Sequence, residues 1–383
     1  MLNNIMTSVG GKRMNKEPFP TNQRPTIAVT GSAGKTTTKS MIASILRQRW
    51  TIYESRDVNN AFINTERSAR RLRDTHQAVV VEFGIVYFGH IIKHCGFIKP
   101  NIGVITNIGT AHIGNFGGDV TKLAAAKSEL IQHMDQSGVF LFNADDENSK
   151  HLLIDSFPGT IIKVGINKQA DYRAEEVEYI EGGMNFRVKL NETYFPFHIP
   201  IYGVHNIYNA LFAIAIGDLL GFTPDEISRG LEQYNKPVMR MATSTLSNNI
   251  TVIDDTFSAN VDAMKAAIDV LTNVGKDRTK IAILGDMKGL GVISQEAHME
   301  VGAYLAKKKV DYLYTTGELA KMISQSALVQ GMPPECVIHF EQKESLFQAL
   351  TNLSPSTAIL VKGARKSRME DVVKYLIANY GEV

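Results

Sequence analysis

The sequence lacks several features that mark particular classes of protein. Only two of its 383 residues are cysteines, Cys95 and Cys336. They stand far apart and in no paired spacing, which excludes a disulfide framework and a zinc site. Basic and acidic residues nearly balance, 41 against 39, so the net charge of +2 offers no footprint for nucleic acid. No run approaches the roughly 20 apolar residues that span a bilayer. A location in the reducing cytoplasm, away from membranes, is expected.

The composition that is present is that of a globular protein with more than one domain. Hydrophobic residues make up 44% of the chain and charged residues 21%, as in ordinary globular domains. At roughly 150 residues per domain, the length predicts two or three domains. Residues 1–24 are polar and have no apolar core of their own, so we expect a flexible leader outside the fold.

From Pro25 onward, short apolar runs alternate with helical patterns, which is typical of parallel βαβ units. The predicted strands are Thr26–Thr30, Ala78–Phe83, Gly103–Ile108 and Val139–Asn143, and the predicted helices are Lys35–Arg49, Asn59–Arg73 and Thr121–Met134. The segment from Thr160 to Ile201 alternates polar and apolar residues, which predicts a small antiparallel sheet appended to the parallel one. Two further helices are predicted at His205–Leu220 and Thr223–Tyr234, the second with a capping box of Thr223 and Glu226.

A second alternation of strands and helices begins after Pro237. The predicted strands are Thr251–Asp254, Lys280–Leu284, Tyr312–Thr316 and Ala358–Val361, and the predicted helices are Val261–Leu271, Ser294–Lys307 and Arg368–Tyr380. We therefore expect an α/β protein with a mostly parallel central sheet and its antiparallel appendage over residues 25–236. A Rossmann-like α/β domain would follow over residues 237–383, with the boundary near Lys236.

The sharpest local signal is the loop Thr30–Thr38, which follows a predicted strand and opens a helix. Its glycines let backbone amides point at phosphate oxygens, the helix N-terminus adds a positive end, and Lys35 adds a mobile cation. Thr36 would ligate magnesium. The usual pattern has glycine where this chain has Val29, so this is a variant loop, and a glycine-rich turn without a ligand is the alternative. The ATP-binding residues would be Gly31, Ser32, Ala33, Gly34, Lys35, Thr36 and Thr37, in a P-loop NTPase-like domain.

The variant loop resembles that of the Mur ligases, the ATP-dependent enzymes that build the peptide of bacterial cell walls, and of their relatives. Further segments that resemble the family's motifs are Asn59-Asn60, Val81–Gly84, Ile105–His112, Ala126–Glu129, Gly203–Ala210, Ile253–Asn260, Leu284–Met287 and Val361–Arg365. The last three look closest to the family member that adds D-alanyl-D-alanine. Eight matching segments spread along the chain make a chance likeness very improbable.

The resemblance implies a magnesium site beside the γ-phosphate of ATP. Glu82 and His112, with Thr36, would hold the metal, and two magnesium ions are expected. The lysine that corresponds to Lys127 is carbamylated by carbon dioxide in Mur ligases, which turns a cation into an anion that can hold the second ion. Without the resemblance, Glu82 would be read as a buried ion pair, and Lys127 as a solvated surface lysine.

The same resemblance assigns the remaining nucleotide contacts and the reaction. Asn206 and Asn209 would bind the nucleotide, with Asn209 at the adenine, while Arg240 and Asp255 contact phosphate and ribose. Lys362 would reach the reacting phosphate when the last domain closes about a hinge at residues 236–240. A carboxylate then takes the γ-phosphate to become an acyl phosphate, and an amine attacks it to form an amide, with ADP and phosphate as products.

The sequence departs from the family pattern on the substrate side. Only some 25 residues precede the first strand, where Mur ligases carry a domain that grips a UDP-sugar. Val86-Tyr87 replaces Asn-His, Phe257-Ser258 replaces Tyr-Asn, and Gly289 replaces Glu. We expect an acceptor other than a UDP-muramyl peptide: an amino acid, a peptide, a natural-product intermediate, or a carboxylate presented by a carrier or partner protein.

Two other functions stay open beside the ligase. One is a P-loop kinase or ATPase that forms no amide, and the other is a non-catalytic nucleotide-binding scaffold. The retention of all of Lys35, Thr36, Glu82, His112 and Lys127 argues against a scaffold, which has no need of them.

Overall fold

A computed structural model describes residues 23–56 and 60–381 of the chain. Most of the predicted leader of residues 1–24 lies outside the described residues, and so does Asn59. Within the described ranges the two predicted sheets are present, and the predicted α/β class is confirmed. No described helix has the length and apolar character needed to cross a bilayer.

The first sheet is parallel over most of its width. Its strands are β1 (Thr26–Thr30), β2 (Ile52–Glu54), β3 (Ala78–Glu82), β4 (Ile102–Ile105), β5 (Val139–Asn143), β6 (Thr160–Gly165), β7 (Tyr172–Ile180), β8 (Gly183–Leu190) and β9 (Thr193–Ile199). They lie in the order β2-β3-β1-β4-β5-β6-β7-β8-β9. All neighbours from β2 to β7 are parallel, and β7, β8 and β9 form an antiparallel meander.

The antiparallel prediction for Thr160–Ile201 is therefore wrong for its first strand. β6 pairs with β5 in parallel because residues 144–159 cross over the sheet instead of turning back as a hairpin. The appendage is also continuous with the parallel sheet, since β7 pairs with the end of β6 at Val164 and Gly165.

Six helices cover the first sheet. They are α1 (Lys35–Leu46), α2 (Phe62–Ala69), α3 (His90–Phe97), α4 (Val120–His133), α5 (Val204–Leu219) and α6 (Pro224–Glu232). Helix α1 is buried along almost its whole length against α5, whose sequence is mostly apolar. Such a helix belongs in a core rather than at a surface. The predicted capping box of α6 is formed by Thr223 and Glu226.

Some predicted bounds shift. The segment predicted as helix Asn59–Arg73 is helical only from Phe62 to Ala69, and the strand predicted to end at Ile108 ends at Ile105. Thr106 to Ile108 leave the strand because the chain turns there toward the loop after β1, where Thr106 Oγ1 donates to the Ala33 carbonyl.

The second sheet is parallel apart from one edge strand. Its strands are β10 (Ala242–Leu246), β11 (Ile250–Asp255), β12 (Thr279–Gly285), β13 (Tyr312–Thr316), β14 (Val337–Phe340) and β15 (Thr357–Lys362), in the order β10-β11-β15-β12-β13-β14. Its helices are α7 (Val261–Val274), α8 (Ser294–Lys307), α9 (Lys321–Val329), α10 (Lys343–Ala349) and α11 (Glu370–Tyr380). Only β10 is antiparallel to its neighbour. The domain boundary near Lys236 stays a prediction.

Loops at the carboxyl ends of both sheets meet. The Thr110 amide, after β4, donates to Asp262 Oδ2 in the first turn of α7 at 3.1 Å. The Gly114 amide donates to the Gly289 carbonyl, after β12, at 3.1 Å. Since ligands of parallel sheets bind beyond the carboxyl ends of the strands, this junction is the place to look for a site.

Candidate active site

A cavity of about 340 Å³ lies at the junction of the two sheets. The predicted site residues among its lining are Ser32, Ala33, Gly34, Lys35, Thr36, Thr37, Glu82, His112, Asn206, Asn209, Arg240, Asp255 and Lys362. Gly31 and Lys127 are absent from the lining. Gly31 lies under the loop against Thr106, and Lys127 lies near enough to Lys35 and His112 for electrostatic interaction with both.

The loop after β1 is held open by contacts from the loop after β4. Asn107 Oδ1 accepts from the amides of Ser32 at 3.1 Å and Ala33 at 2.9 Å. Gly31 has a φ of 146°, and a Cβ there would lie 1.9 Å from Thr106 Oγ1. Only glycine fits this position, because any side chain would displace the threonine that braces the loop.

Glu82 stands at the end of β3, beside the first residues of α1. Thr36 Oγ1 donates to Glu82 Oε2 and Asn60 Nδ2 donates to Glu82 Oε1, both at 2.8 Å. Lys35 Nζ donates to the Gly31 carbonyl at 3.0 Å, and burial lowers the pKa of this amine, although Glu82 partly opposes the effect. A hydroxyl, a carboxylate and a cation thus share one end of the cavity.

Burial lowers the pKa of both His112 and Lys127. Burial, with the nearby cations of Lys35 and Lys127, lowers the pKa of His112 to about 4, so its imidazole is neutral at pH 7. Lys127 is only 1% exposed, and burial, with Lys35, lowers the pKa of its amine well below the usual value. In residues 23–56 and 60–381, no carboxylate forms an ion pair with Lys127.

The asparagines of α5 contact protein groups beside the phosphate loop. Asn209 Oδ1 accepts from Thr38 Oγ1 at 3.0 Å, and Asn209 Nδ2 donates to Asn206 Oδ1 at 2.9 Å. A Cβ on Gly34 would lie 2.3 Å from Asn209 Oδ1. This geometry makes Asn209 a support of the loop as well as a lining residue, and its contact with adenine stays a prediction.

Groups from the second sheet complete the opposite wall. Lys362 Nζ contacts Asp255 Oδ2 and donates to the Ser258 carbonyl at 2.9 Å. Asp255 Oδ1 also accepts from the Met241 amide at 3.2 Å, and the Arg240 guanidinium lies 4.2 Å from the centre of the Phe257 ring. Arg240, Asp255 and Lys362, which were predicted to contact phosphate and ribose, therefore lie close to the segment that joins the two sheets.

Among the residues of this site that sequence reasoning missed, three have a clear place in it. Asn107 and Thr106 support the loop, and His205 lines the cavity, with a pKa that burial lowers to about 4. All three lie inside motifs that the sequence analysis singled out, so the signal was available. Within these motifs, the sequence does not distinguish side chains that face the cavity from side chains that face the core.

The oxygen donors present fit magnesium. Among the described residues no three His, Cys, Asp or Glu side chains form a metal cluster. Magnesium does not need one, because it keeps several waters and binds through one or two carboxylates and substrate phosphates. Thr36 Oγ1 and Glu82 Oε2, already 2.8 Å apart at the phosphate loop, are such a pair.

The sequence matches two family models that together span most of the chain. Residues 29–217 match the Mur ligase middle domain, and residues 239–365 match the glutamate ligase domain of Mur ligases. A UDP-N-acetylmuramoyl-tripeptide–D-alanyl-D-alanine ligase from Bacillus subtilis is 32% identical over 353 residues, which cover 92% of this chain and 75% of the relative. The chain belongs to the Mur ligase family. The predicted resemblance and the predicted ATP-dependent ligase class are confirmed.

Solved structures agree with this Mur ligase assignment. MurF from Acinetobacter baumannii is 30% identical, with a TM-score of 0.84, and the alignment covers 92% of this chain and 76% of that one. MurF from Thermotoga maritima, solved in complex with ADP, superposes with a TM-score of 0.81 over 93% of this chain and 80% of its own. At 21% identity the second likeness shows the Mur ligase fold alone.

Proposed function

We propose that this Mur ligase acts in the cytoplasm and joins a carboxylate to an amine. The γ-phosphate of ATP would activate the carboxylate as an acyl phosphate. The observation that carries the proposal is the placement of Lys35, Thr36 and Glu82 around one end of the cavity, with Lys362 and Arg240 on the opposite wall. Phosphoryl transfer is catalysed mainly by position and by charge neutralisation, which these groups provide.

Each step has residues of the chain to support it. The loop amides that Asn107 orients would bind the phosphates, and Thr36 and Glu82 would hold magnesium, which neutralises charge on the transferred phosphoryl group. Lys35 and Lys362 would face that group from the two sheets. The contact between Thr110 and Asp262 joins the two walls of the cavity, and closure at this junction would keep water from the acyl phosphate.

A carbamylated Lys127 would hold a second magnesium ion. Carbon dioxide reacts with the neutral form of an amine and a proton is released as the carbamate forms; burial, which lowers the pKa of Lys127, favours that neutral form. The carbamate would give Lys127, a buried side chain with no carboxylate partner among the described residues, a negative charge that Lys35 and a metal ion balance. Burial without a counter-ion, which is costly for a lysine, is thereby explained.

The acceptor would differ from the UDP-muramyl tripeptide of the relatives. Phe257 and Ser258 line the cavity at positions where the family pattern has Tyr-Asn, and Gly289 lies beside His112, where a Cβ would be 3.7 Å from His112 Nδ1. These are the walls nearest the reacting groups, so their change alters substrate contacts while the nucleotide end is retained.

The test is a screen of carboxylate and amine pairs for release of ADP and phosphate by the purified chain. We expect release only when both substrates are present, with an amide of the matching mass as product. UDP-muramyl tripeptide with D-alanyl-D-alanine is included in the screen, and turnover of that pair would overturn the acceptor proposal.

Other outcomes separate the remaining functions. Phosphate transfer to a carboxylate or hydroxyl that needs no amine would indicate a kinase. Binding of Mg·ATP without turnover for any pair would favour a scaffold. A Lys35→Ala variant should lose ADP release, and failure of the wild-type chain to bind Mg·ATP would overturn the whole proposal.

A further inference from the structure

A second cavity, of about 130 Å³, lies between the edge strand β2 and helix α2. Its lining consists of Tyr53, Arg56, Asn64, Arg67, Ser68 and Arg71. Three of these six residues are arginines. We call this group of three, Arg56, Arg67 and Arg71, the arginine cluster.

The arginine cluster is built by α2 and the turn that follows it. Arg67 and Ser68 stand three and four positions after Asn64 in α2, which places all three on one face of the helix. Arg71 lies in the turn directly after the helix. Arg56 follows the end of β2 and meets this face from the strand side. Three exposed arginines from two parts of the chain therefore line one small cavity.

No acidic side chain among residues 23–56 and 60–381 forms an ion pair with the cluster. Its one hydrogen bond to a side chain is the 3.4 Å contact from Arg67 Nη1 to Asn64 Oδ1. Arg70, which directly follows α2 and lies outside the cavity, instead bonds Glu66 at 2.6 Å. Three like charges held together without a counter-ion repel one another, and an anion from outside would relieve this repulsion.

The cluster lies next to the active site. Asn60 lines the active-site cavity and stands four residues before Asn64, which lines the second cavity. The Asn60 side chain bonds Glu82, and its carbonyl accepts from the Gly84 amide at 2.8 Å. In the sheet order, β2 is separated from β1 by β3 alone. At about 4.8 Å per strand, the cluster begins roughly 10 Å across the sheet from the phosphate loop. A substrate of modest length could reach both.

We propose that Arg56, Arg67 and Arg71 bind a phosphoryl group that the acceptor carries in addition to its reacting carboxylate. This rests on the proposed ligase function and specifies its substrate class. The cavity is too small for a whole nucleotide, since small-molecule sites usually exceed about 300 Å³, but it suits a single oxyanion group. Guanidinium forks bind phosphate oxygens in pairs, and three of them match a phosphate dianion better than a carboxylate.

The test titrates inorganic phosphate and methyl phosphate into the chain after saturation with magnesium and a non-hydrolysable ATP analogue, which fills the phosphate loop. Calorimetry should show saturable binding by the wild type. The double variant Arg67→Ala/Arg71→Ala should bind at least about tenfold more weakly, and Arg56→Ala, on the loop, should also bind more weakly. The matched control Arg70→Ala should bind as the wild type does.

Three results would overturn the inference. They are no saturable phosphate binding by the wild type, equal affinity in the wild type and the double variant, and succinate bound as tightly as phosphate. If thermal melting shows that the double variant is unfolded, Arg56→Ala decides alone. The same titration separates the two proposals, because failure to bind the ATP analogue speaks against the ligase function, while analogue binding without phosphate binding speaks only against the cluster.

Discussion

Lys127 shows how burial changes the chemistry of a single side chain. Its position in α4 would suit a surface lysine, yet it is buried, and its amine is drawn toward neutrality by desolvation and by Lys35. His94 is a second buried base. Its Nε2 lies 3.1 Å from the Gly84 carbonyl and its Nδ1 lies 2.6 Å from Thr65 Oγ1. Burial of Lys127 should affect turnover, and burial of His94 should affect the pH dependence of stability.

Removal of the Lys127 amine should remove ligase turnover. We expect Lys127→Ala to lose at least about 100-fold in turnover, because a metal ligand contributes several kcal/mol of charge stabilisation. Wild-type activity should fall in buffer free of carbon dioxide and return with bicarbonate, and the variant should not respond. Lys122→Ala, an exposed position on the same helix, is the control. A bicarbonate-independent wild type with no labile mass addition would contradict carbamylation.

Acid should destabilise the fold through His94. Burial lowers the pKa of His94 to about 4, so the unfolded state binds more protons than the folded state between pH 6.5 and pH 4. Stability is full above pH 6.5 and declines below it, by about 2 kcal/mol at pH 5 for one such group. We expect His94→Gln to flatten the dependence of unfolding free energy on pH from 7.5 to 5. The partly exposed His151, changed to Gln, should leave it unaltered. Equal slopes for the two variants would show that His94 does not titrate in this way.

Two glycines show that the effect of a glycine-to-alanine substitution depends on the structural element in which the glycine lies. In the loop after β1, a Cβ at Gly31 meets Thr106, whereas Gly96 in α3 has nothing within 4 Å of an added Cβ. The space around the added Cβ, together with the positive φ of Gly31, decides whether an alanine disrupts the local structure or stabilises it. The short helix α3 has room for a side chain, and the phosphate loop has none.

Gly31→Ala should therefore weaken nucleotide binding, and Gly96→Ala should not. Alanine at Gly31 displaces Thr106, so we expect Mg·ADP affinity to fall at least about tenfold, since steric overlap of this kind costs roughly 1–3 kcal/mol. Gly96→Ala should raise the unfolding free energy by up to about 1 kcal/mol through helix propensity. Calorimetric titration and chemical denaturation measure the two effects. Retained Mg·ADP affinity in Gly31→Ala would remove the argument for the loop geometry.

At the scale of the molecule, the loops at the ends of the two sheets contact each other through backbone atoms. A Cβ on Gly114 would lie 2.5 Å from the Gly291 amide nitrogen, and the Gly114 amide itself donates to the Gly289 carbonyl. The two loops meet so closely only because no side chain separates them. If the domains close about the predicted hinge at residues 236–240, this contact would form in the closed arrangement.

Gly114→Ala should disfavour the closed arrangement. The overlap costs about 1–3 kcal/mol, so we expect turnover to fall by about tenfold or more, with a smaller loss of Mg·ADP affinity. Small-angle scattering with bound nucleotide should report a larger radius of gyration than for the wild type, and Gly96→Ala serves as the control. Unchanged turnover and radius would mean that the contact plays no part in closure.

How much the sequence predicts can be judged from particular elements. The bounds of β1, β5, β13 and α8 were predicted as they stand, because apolar runs flanked by turn residues define them locally. Strands β2, β10 and β14 and helices α3, α9 and α10 were missed. They are short, and several are partly exposed, so they carry too little periodicity to stand out.

The same division applies to the site. Sequence alone determined the phosphate loop, the acid at the end of β3 and the family, because each depends on neighbouring residues in a fixed order. Only the tertiary structure decided that Lys127 is buried, that Asp255 meets Lys362, and that three arginines share a cavity. Burial and charge depend on groups brought together by the order of the strands, and that order is not contained in any local stretch of sequence.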